Sequence, residues 1–118
     1  MSRDWRIYLA DMIERCDRVL AYTADLPRGA FDAHGINYDA TVRNLELLGE
    51  AARHVPEEER LRSPQVDGRG IIAVRNILVH GYLGIDDDIL WDLIQRRIPE
   101  LKRQLLEMRA RVFPESDR

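Results

Sequence analysis

Hydrophobic residues recur along this chain with the spacing of amphipathic helices. One apolar stripe runs from about Arg3 to Ala24, a second covers residues 37–54 and a third covers residues 71–82. A fourth stripe runs from about residue 87 to residue 112 and keeps its phase across Pro99. We therefore expect a single long last helix that is kinked at this proline.

Turn and capping residues mark the ends of these helices. Residues 26–29 (LPRG) should end the first helix, and one helical turn is expected around Phe31. Pro56–Ser63 has the acids and arginines of a short helix, and Asp86 or Asp87 is a suitable N-cap for the last helix. With no strand pattern, the sequence predicts an all-α, up-and-down four-helix bundle with one or two short extra helices.

Domain organisation and compartment follow from length and composition. A chain of 118 residues suggests one domain, which we expect over residues 1–113 with a frayed tail at 114–118. No apolar run approaches the roughly 20 residues that cross a membrane, and the N-terminus lacks a signal-peptide pattern. The single cysteine, Cys16, lies on an apolar stripe as a core residue would. These features predict a cytoplasmic protein without a membrane-spanning segment.

The net charge of −3 changes what can be expected of a nucleic-acid partner. Proteins that coat nucleic acid nonspecifically are usually basic, so any contact with nucleic acid must be local here. The acidic runs at residues 57–59 and 86–88 are read as helix starts, and no metal site is expected. His34 is expected in an exposed loop, and His54 at a helix end.

The third stripe, IIAVRNILVHGY, carries the candidate chemistry. Arg75 falls in the middle of its apolar face, where a charge is costly unless it is paired or faces a polar cleft. Asn76 and His80 project from another side, and Tyr82 follows the helix end. Two interpretations remain open: a core helix with a buried arginine–carboxylate pair, for which Glu50 is a suitable acid, or a functional site.

Gly49 is a second unusual residue on an apolar face. It lies centrally on the core side of the second long helix, where glycine costs about 1 kcal/mol relative to alanine. A close approach of two helices would explain it.

Arginine and histidine together suit the cleavage of RNA without a metal. RNA carries its own nucleophile, imidazole exchanges protons near pH 6.5, and guanidinium stabilises the charge that grows on phosphorus-bound oxygens. On one helix, however, Arg75 and His80 diverge by about 140°. Either the helix loosens after His80, or a two-fold dimer gathers both residue types into one cleft and buries stray apolar residues such as Ile7 and Leu47.

The sequence resembles a known family at these positions. Residues 75–82 (RNILVHGY) are similar to the Arg-x4-His-x-Tyr motif of HepT-like toxins in the HEPN superfamily. Residues 43–56 and 82–94 resemble the flanking helices of that family. The sequence differs from the family pattern in one place: residues 66–70 (VDGRG) stand where a Pro-Trp-Arg context often precedes the motif helix.

The resemblance implies a homodimeric, metal-independent ribonuclease toxin that needs no cofactor. Its antitoxin partner would be a small MNT-type nucleotidyltransferase that transfers AMP to Tyr82. Arg75 and His80 would be the catalytic pair, and Asn76 a polar helper beside them. Two alternatives stay open: Tyr82 only packs at the helix end, or the protein is a non-catalytic HEPN module that binds a nucleotidyltransferase or a nucleotide.

Overall fold

Helices form the regular structure throughout the described part of the chain. The structure, a computed structural model, describes residues 4–80 and 84–113, except for the side chains of Arg69, Ile77, Val79 and His80. The expected frayed tail, residues 114–118, lies outside this range. The elements are α1 (Arg6–Thr23), α2 (Arg28–Asp32), α3 (Ile36–Ala52), α4 (Glu57–Arg62), α5 (Gly68–His80), α6 (Asp87–Asp92), a π-helical turn (Leu93–Arg97) and α7 (Ile98–Val112).

The all-α bundle predicted from the sequence is confirmed. α3 lies between α1 and α5, and α1 also packs against α7. α1 and α3 are antiparallel, because Tyr8 near the start of α1 stacks on His54 beyond the end of α3, whereas Arg15 further along α1 donates a hydrogen bond to Asn44. No described helix is both long and apolar enough to cross a membrane.

Cys16 lies in the core, as its place on the apolar stripe predicted. The residue is fully buried on α1. Burial, with a smaller contribution from the charge of Asp17, raises the pKa of its thiol to about 12. The thiol is therefore protonated at neutral pH and is not a nucleophile there.

The last helical run is continuous from Asp87 to Val112, as the sequence predicted, but its irregularity is of a different kind. Instead of a kink at Pro99, a π-helical turn at Leu93–Arg97 joins α6 to α7, and Pro99 lies in the first turn of α7. Proline lacks an N–H, and its ring collides with the carbonyl four residues earlier. In the wider π turn, the Ile98 N–H donates a hydrogen bond to the Leu93 carbonyl. The extra width makes room for the carbonyl four residues before Pro99 without ending the helical run.

The start of α6 is capped as expected and is tied to the α2–α3 connector. The Asp86 side chain accepts hydrogen bonds from the N–H groups of Asp88 and Ile89. Asp87 accepts a hydrogen bond from the Tyr38 hydroxyl at 2.9 Å, and its other oxygen lies 2.7 Å from His34 Nε2. Burial opposes ionisation of Asp87, but these two bonds outweigh it and hold the pKa of the carboxyl below its usual value.

Gly49 lies where α5 packs closely against α3. A Cβ atom at this position would lie 2.1 Å from Arg75 Cβ and 3.2 Å from the Ile71 carbonyl oxygen. Neither of those atoms belongs to the flexible end of a side chain. The close helix–helix approach predicted from the sequence is therefore confirmed.

Gly49→Ala should lower the free energy of unfolding by about 1–3 kcal/mol, because α5 must move away from α3 to admit the methyl group. Chemical denaturation would measure the change. Gly29→Ala is the matched control, since a Cβ there meets nothing within 4 Å. An alanine at position 49 that stabilises the protein as much as one at position 29 would contradict the close-contact explanation.

Candidate active site around Arg75

α5, the helix that carries the candidate site, begins within residues 66–70, the segment that differs from the family pattern. The Gly70 N–H donates a hydrogen bond of 2.8 Å to Asp67 Oδ1, which caps the first turn of α5. Val66, just before it, packs against the core. This loop therefore anchors α5 without the tryptophan of the family pattern.

α5 presents Arg75 to α3. The Arg75 side chain is 24% exposed, and its Nη2 lies 3.2 Å from Glu50 Oε2. Glu50 directly follows Gly49 in the sequence. The glycine allows α5 to pack closely, and the next residue pairs with the guanidinium. The sequence-based suggestion that Glu50 pairs with Arg75 is confirmed.

The remaining donors of Arg75 are only partly satisfied. Nη1 donates a long hydrogen bond of 3.3 Å to Asn76 Oδ1. Nε is buried and has no hydrogen-bond partner among the described residues. A buried donor without a partner costs about 1–3 kcal/mol, a cost that a hydrophobic residue at this position would avoid. Such costs are found preferentially at functional sites.

Glu50 is shared by three cationic or potentially cationic groups. Besides Arg75, Arg53 Nη1 lies 3.7 Å from Glu50 Oε2, and His54 Nε2 lies 3.7 Å from Glu50 Oε1. We call these four residues, Glu50, Arg53, His54 and Arg75, the Glu50 cluster. It holds two arginines and a histidine around one carboxylate, so an anion can meet local positive charge on an acidic chain.

The cluster continues onto α1 through an aromatic contact. The rings of Tyr8 and His54 stack with centroids 4.3 Å apart and an interplanar angle of 14°. Sequence reasoning placed His54 at a helix end and gave Tyr8 no role. The two residues are 46 positions apart, and no spacing signal marks a stack between a helix start and the segment after another helix.

His80 and Tyr82 lie at the end of α5 and just beyond it in the sequence. α5 is helical from Gly68 to His80, but the His80 side chain and all of Tyr82 lie outside the described residues. In a regular helix, positions 75 and 80 lie about 140° apart around the helix axis. Within residues 4–80 and 84–113, no three His, Cys, Asp or Glu residues are grouped to hold a metal.

Comparison with known proteins identifies the family. Residues 12–108, which include the whole 75–82 segment, match the family described as Ribonuclease HepT-like. The chain therefore belongs to the HepT-like family. Among solved structures, none matches the chain significantly.

Three relatives illustrate the similarity. One from Methanocaldococcus jannaschii, named as a candidate RNase, is 32% identical over 104 residues, which are 88% of this chain and 95% of the relative. One from Caldanaerobacter subterraneus, also named as a candidate RNase, is 31% identical over 103 residues, 87% of this chain and 92% of the relative. One from Thermococcus cleftensis, named as a probable ribonuclease HepT, is 28% identical over 109 residues, 92% of this chain and 99% of the relative.

Arg75→Met should leave the free energy of unfolding within about 1 kcal/mol of the parent or raise it. Methionine keeps an unbranched stem against Gly49, and the half-exposed Glu50 remains hydrated when its partner is lost. The buried Nε without a partner also disappears. Urea denaturation would measure this, and a loss above about 3 kcal/mol would show that the arginine serves mainly to hold the fold.

Proposed function

We propose that the protein is a metal-independent endoribonuclease that acts in the cytoplasm as the toxin of a toxin–antitoxin pair. The observation that carries the proposal is the half-buried Arg75 guanidinium, which is held against α3 by Glu50 and keeps a buried Nε without a partner. Family membership and the names of the relatives support RNA as the substrate.

The proposed chemistry needs only groups of the substrate and of this chain. His80 takes the proton from a ribose 2′-OH, and the oxygen attacks the neighbouring phosphorus. Arg75 stabilises the negative charge on the phosphoryl oxygens, with Asn76 beside it as a polar helper. The bond from phosphorus to the 5′-oxygen then breaks, and a second imidazole or water returns a proton to that oxygen. The products are a 2′,3′-cyclic phosphate and a 5′-hydroxyl.

A homodimer would supply the convergence that one chain lacks. Because α5 is helical up to His80, positions 75 and 80 lie about 140° apart around the helix axis of one protomer. A two-fold axis beside α5 brings Arg75 of one protomer near the partner subunit's His80 and doubles the local positive charge. Ile7 on α1 is 48% exposed and is available to such an interface, whereas Leu47 is half-buried within the chain.

Arg75→Met and His80→Gln should each reduce RNA cleavage at least a hundred-fold, and mixing the two inactive proteins should restore activity. In a mixed dimer, one composite site keeps both the arginine and the histidine, so about a quarter of the parental rate is expected after subunit exchange. Cleavage of a labelled single-stranded RNA in EDTA, with light scattering of the same samples, would measure rate, metal independence and dimerisation together.

The control is Arg96→Met, because Arg96 is 82% exposed on the π-helical turn and pairs only with its neighbour Asp92 among the described residues. It should cleave as the parent does. A mixture that stays inactive would place both catalytic groups in one chain. A folded dimeric parent that cleaves no RNA would favour the non-catalytic binding module.

We further propose that an MNT-type nucleotidyltransferase silences the protein by modifying Tyr82. The phenolic oxygen would attack the α-phosphorus of ATP, pyrophosphate would leave, and the phenolic proton would pass to a base of the transferase. The attached AMP adds negative charge and bulk beside Arg75 and His80, which would repel the phosphates of RNA by the charge logic of phosphorylation.

Tyr82→Phe should remain toxic when the transferase is co-expressed, because the nucleophilic oxygen is gone. Growth assays of the co-expressed pair and mass spectrometry of the isolated toxin would test this. Tyr22→Phe, at a partly exposed tyrosine of α1, is the control and should be silenced as the parent is. AMP on another residue, or silencing of Tyr82→Phe, would show that inhibition works by occlusion or at a different site.

A further inference from the structure

The Tyr8–His54 ring pair lies beside the candidate site, and Tyr8 also packs against the edge of the core. His54 is 47% exposed, and Tyr8 is partly exposed. Neither ring makes a hydrogen bond within the described part of the chain; the nearest polar contact is the 3.7 Å separation between His54 Nε2 and Glu50 Oε1. The pair therefore keeps exposed aromatic surface, chiefly on His54, while Tyr8 also contacts the core.

A second tyrosine–histidine stack in the same protein shows what a structural pair looks like. The rings of His34 and Tyr38 stack with centroids 3.8 Å apart, at the other end of α3. Tyr38 is only 5% exposed, and both residues contact the Asp87 carboxylate. Hydrogen bonds to Asp87 hold that pair against α6, although the His34 side chain is itself 50% exposed. Neither ring of the Tyr8–His54 pair has such a hydrogen bond among the described residues.

The position of the Tyr8–His54 pair relates it to Arg75. One carboxylate, Glu50, contacts Arg75 through one oxygen and His54 through the other. A phosphate held by Arg75 therefore lies one carboxylate away from the stacked rings. Beyond His54, an open groove of about 760 Å³ runs between the α3–α4 connector and the start of α5. Its charged lining residues are Arg53, His54 and Arg60 and the acids Glu57 and Asp67.

We propose that the Tyr8–His54 pair binds one nucleobase of single-stranded RNA beside the phosphate that is cleaved. The base extends the two-ring stack, and Arg53 meets the following phosphate as the strand enters the groove. Stacking on aromatic side chains requires an unpaired base and tolerates all four bases, so the pair selects single strands more than sequence. This proposal rests on the proposed ribonuclease function and names its substrate-positioning residues.

The test measures RNA binding and cleavage with aromatic and aliphatic replacements. Tyr8→Leu and His54→Leu should each raise the KM for single-stranded RNA about ten-fold or more and change kcat less than three-fold, because the rings position the strand and do not take part in proton transfer. Tyr8→Phe and His54→Phe keep a stacking ring and should stay within two-fold of the parent. Tyr22→Leu makes the same replacement near the other end of α1 and should leave KM unchanged.

Abasic RNA separates base stacking from a general effect on structure. A set of RNAs that each lack one base near the cleavage site, with a 2′-deoxy sugar to prevent cleavage, would be bound to parent and variants. In the parent, one position should weaken binding about ten-fold when its base is removed. In Tyr8→Leu and His54→Leu the same removal should have little further effect.

Outcomes separate this proposal from the one on which it rests. If every abasic position weakens the leucine variants and the parent equally, the stacking site is wrong while ribonuclease activity stands. If Tyr8→Leu fails to fold by circular dichroism, His54→Leu carries the test, since His54 lies after the end of α3. If the parent binds and cleaves no RNA, the proposed function fails and the stacking site fails with it.

Discussion

The contact between α3 and α5 at Gly49 is the constraint on which the candidate site depends. Without a side chain at this position, the Cβ atom of Arg75 can rest against the α3 backbone. Glu50, the next residue, then reaches the guanidinium. One residue sets the distance between the helices and its neighbour sets the direction of the arginine. The Arg75 guanidinium on the apolar face of α5 is thereby held against α3, partly exposed, and is not buried in the core.

Features that depend on local periodicity could be predicted from the sequence, and features that depend on distant partners could not. The apolar stripes, the Asp86 cap and the core position of Cys16 follow from spacing along one helix. Gly49 and Glu50 were identifiable because a glycine and an arginine on apolar faces each require an explanation. The Tyr8–His54 stack joins residues whose only relation is antiparallel packing of α1 on α3. Pro99 indicated an irregularity in the last helix, but the proline alone does not distinguish a kink from a π turn.

The Glu50 cluster also explains how an acidic protein can present a cationic site. The carboxylate lies within 3.2–3.7 Å of two arginines and a histidine, so it neutralises part of their charge in the absence of an anionic ligand. On the proposed function, a phosphate of the substrate would replace some of these contacts, and the acidic surface elsewhere would oppose nonspecific binding. The affinity for a phosphate would then be highest at the Glu50 cluster.

The buried thiol of Cys16 gives the protein a reporter of its own unfolding. It is the only cysteine of the chain, it is inaccessible on α1, and its pKa of about 12 leaves almost no thiolate at neutral pH. Alkylating reagents can modify it only when the core between α1, α3 and α7 opens. The rate of labelling therefore measures how often that core opens, and no tag or engineered residue is needed. A partner that holds the bundle closed would lower this rate.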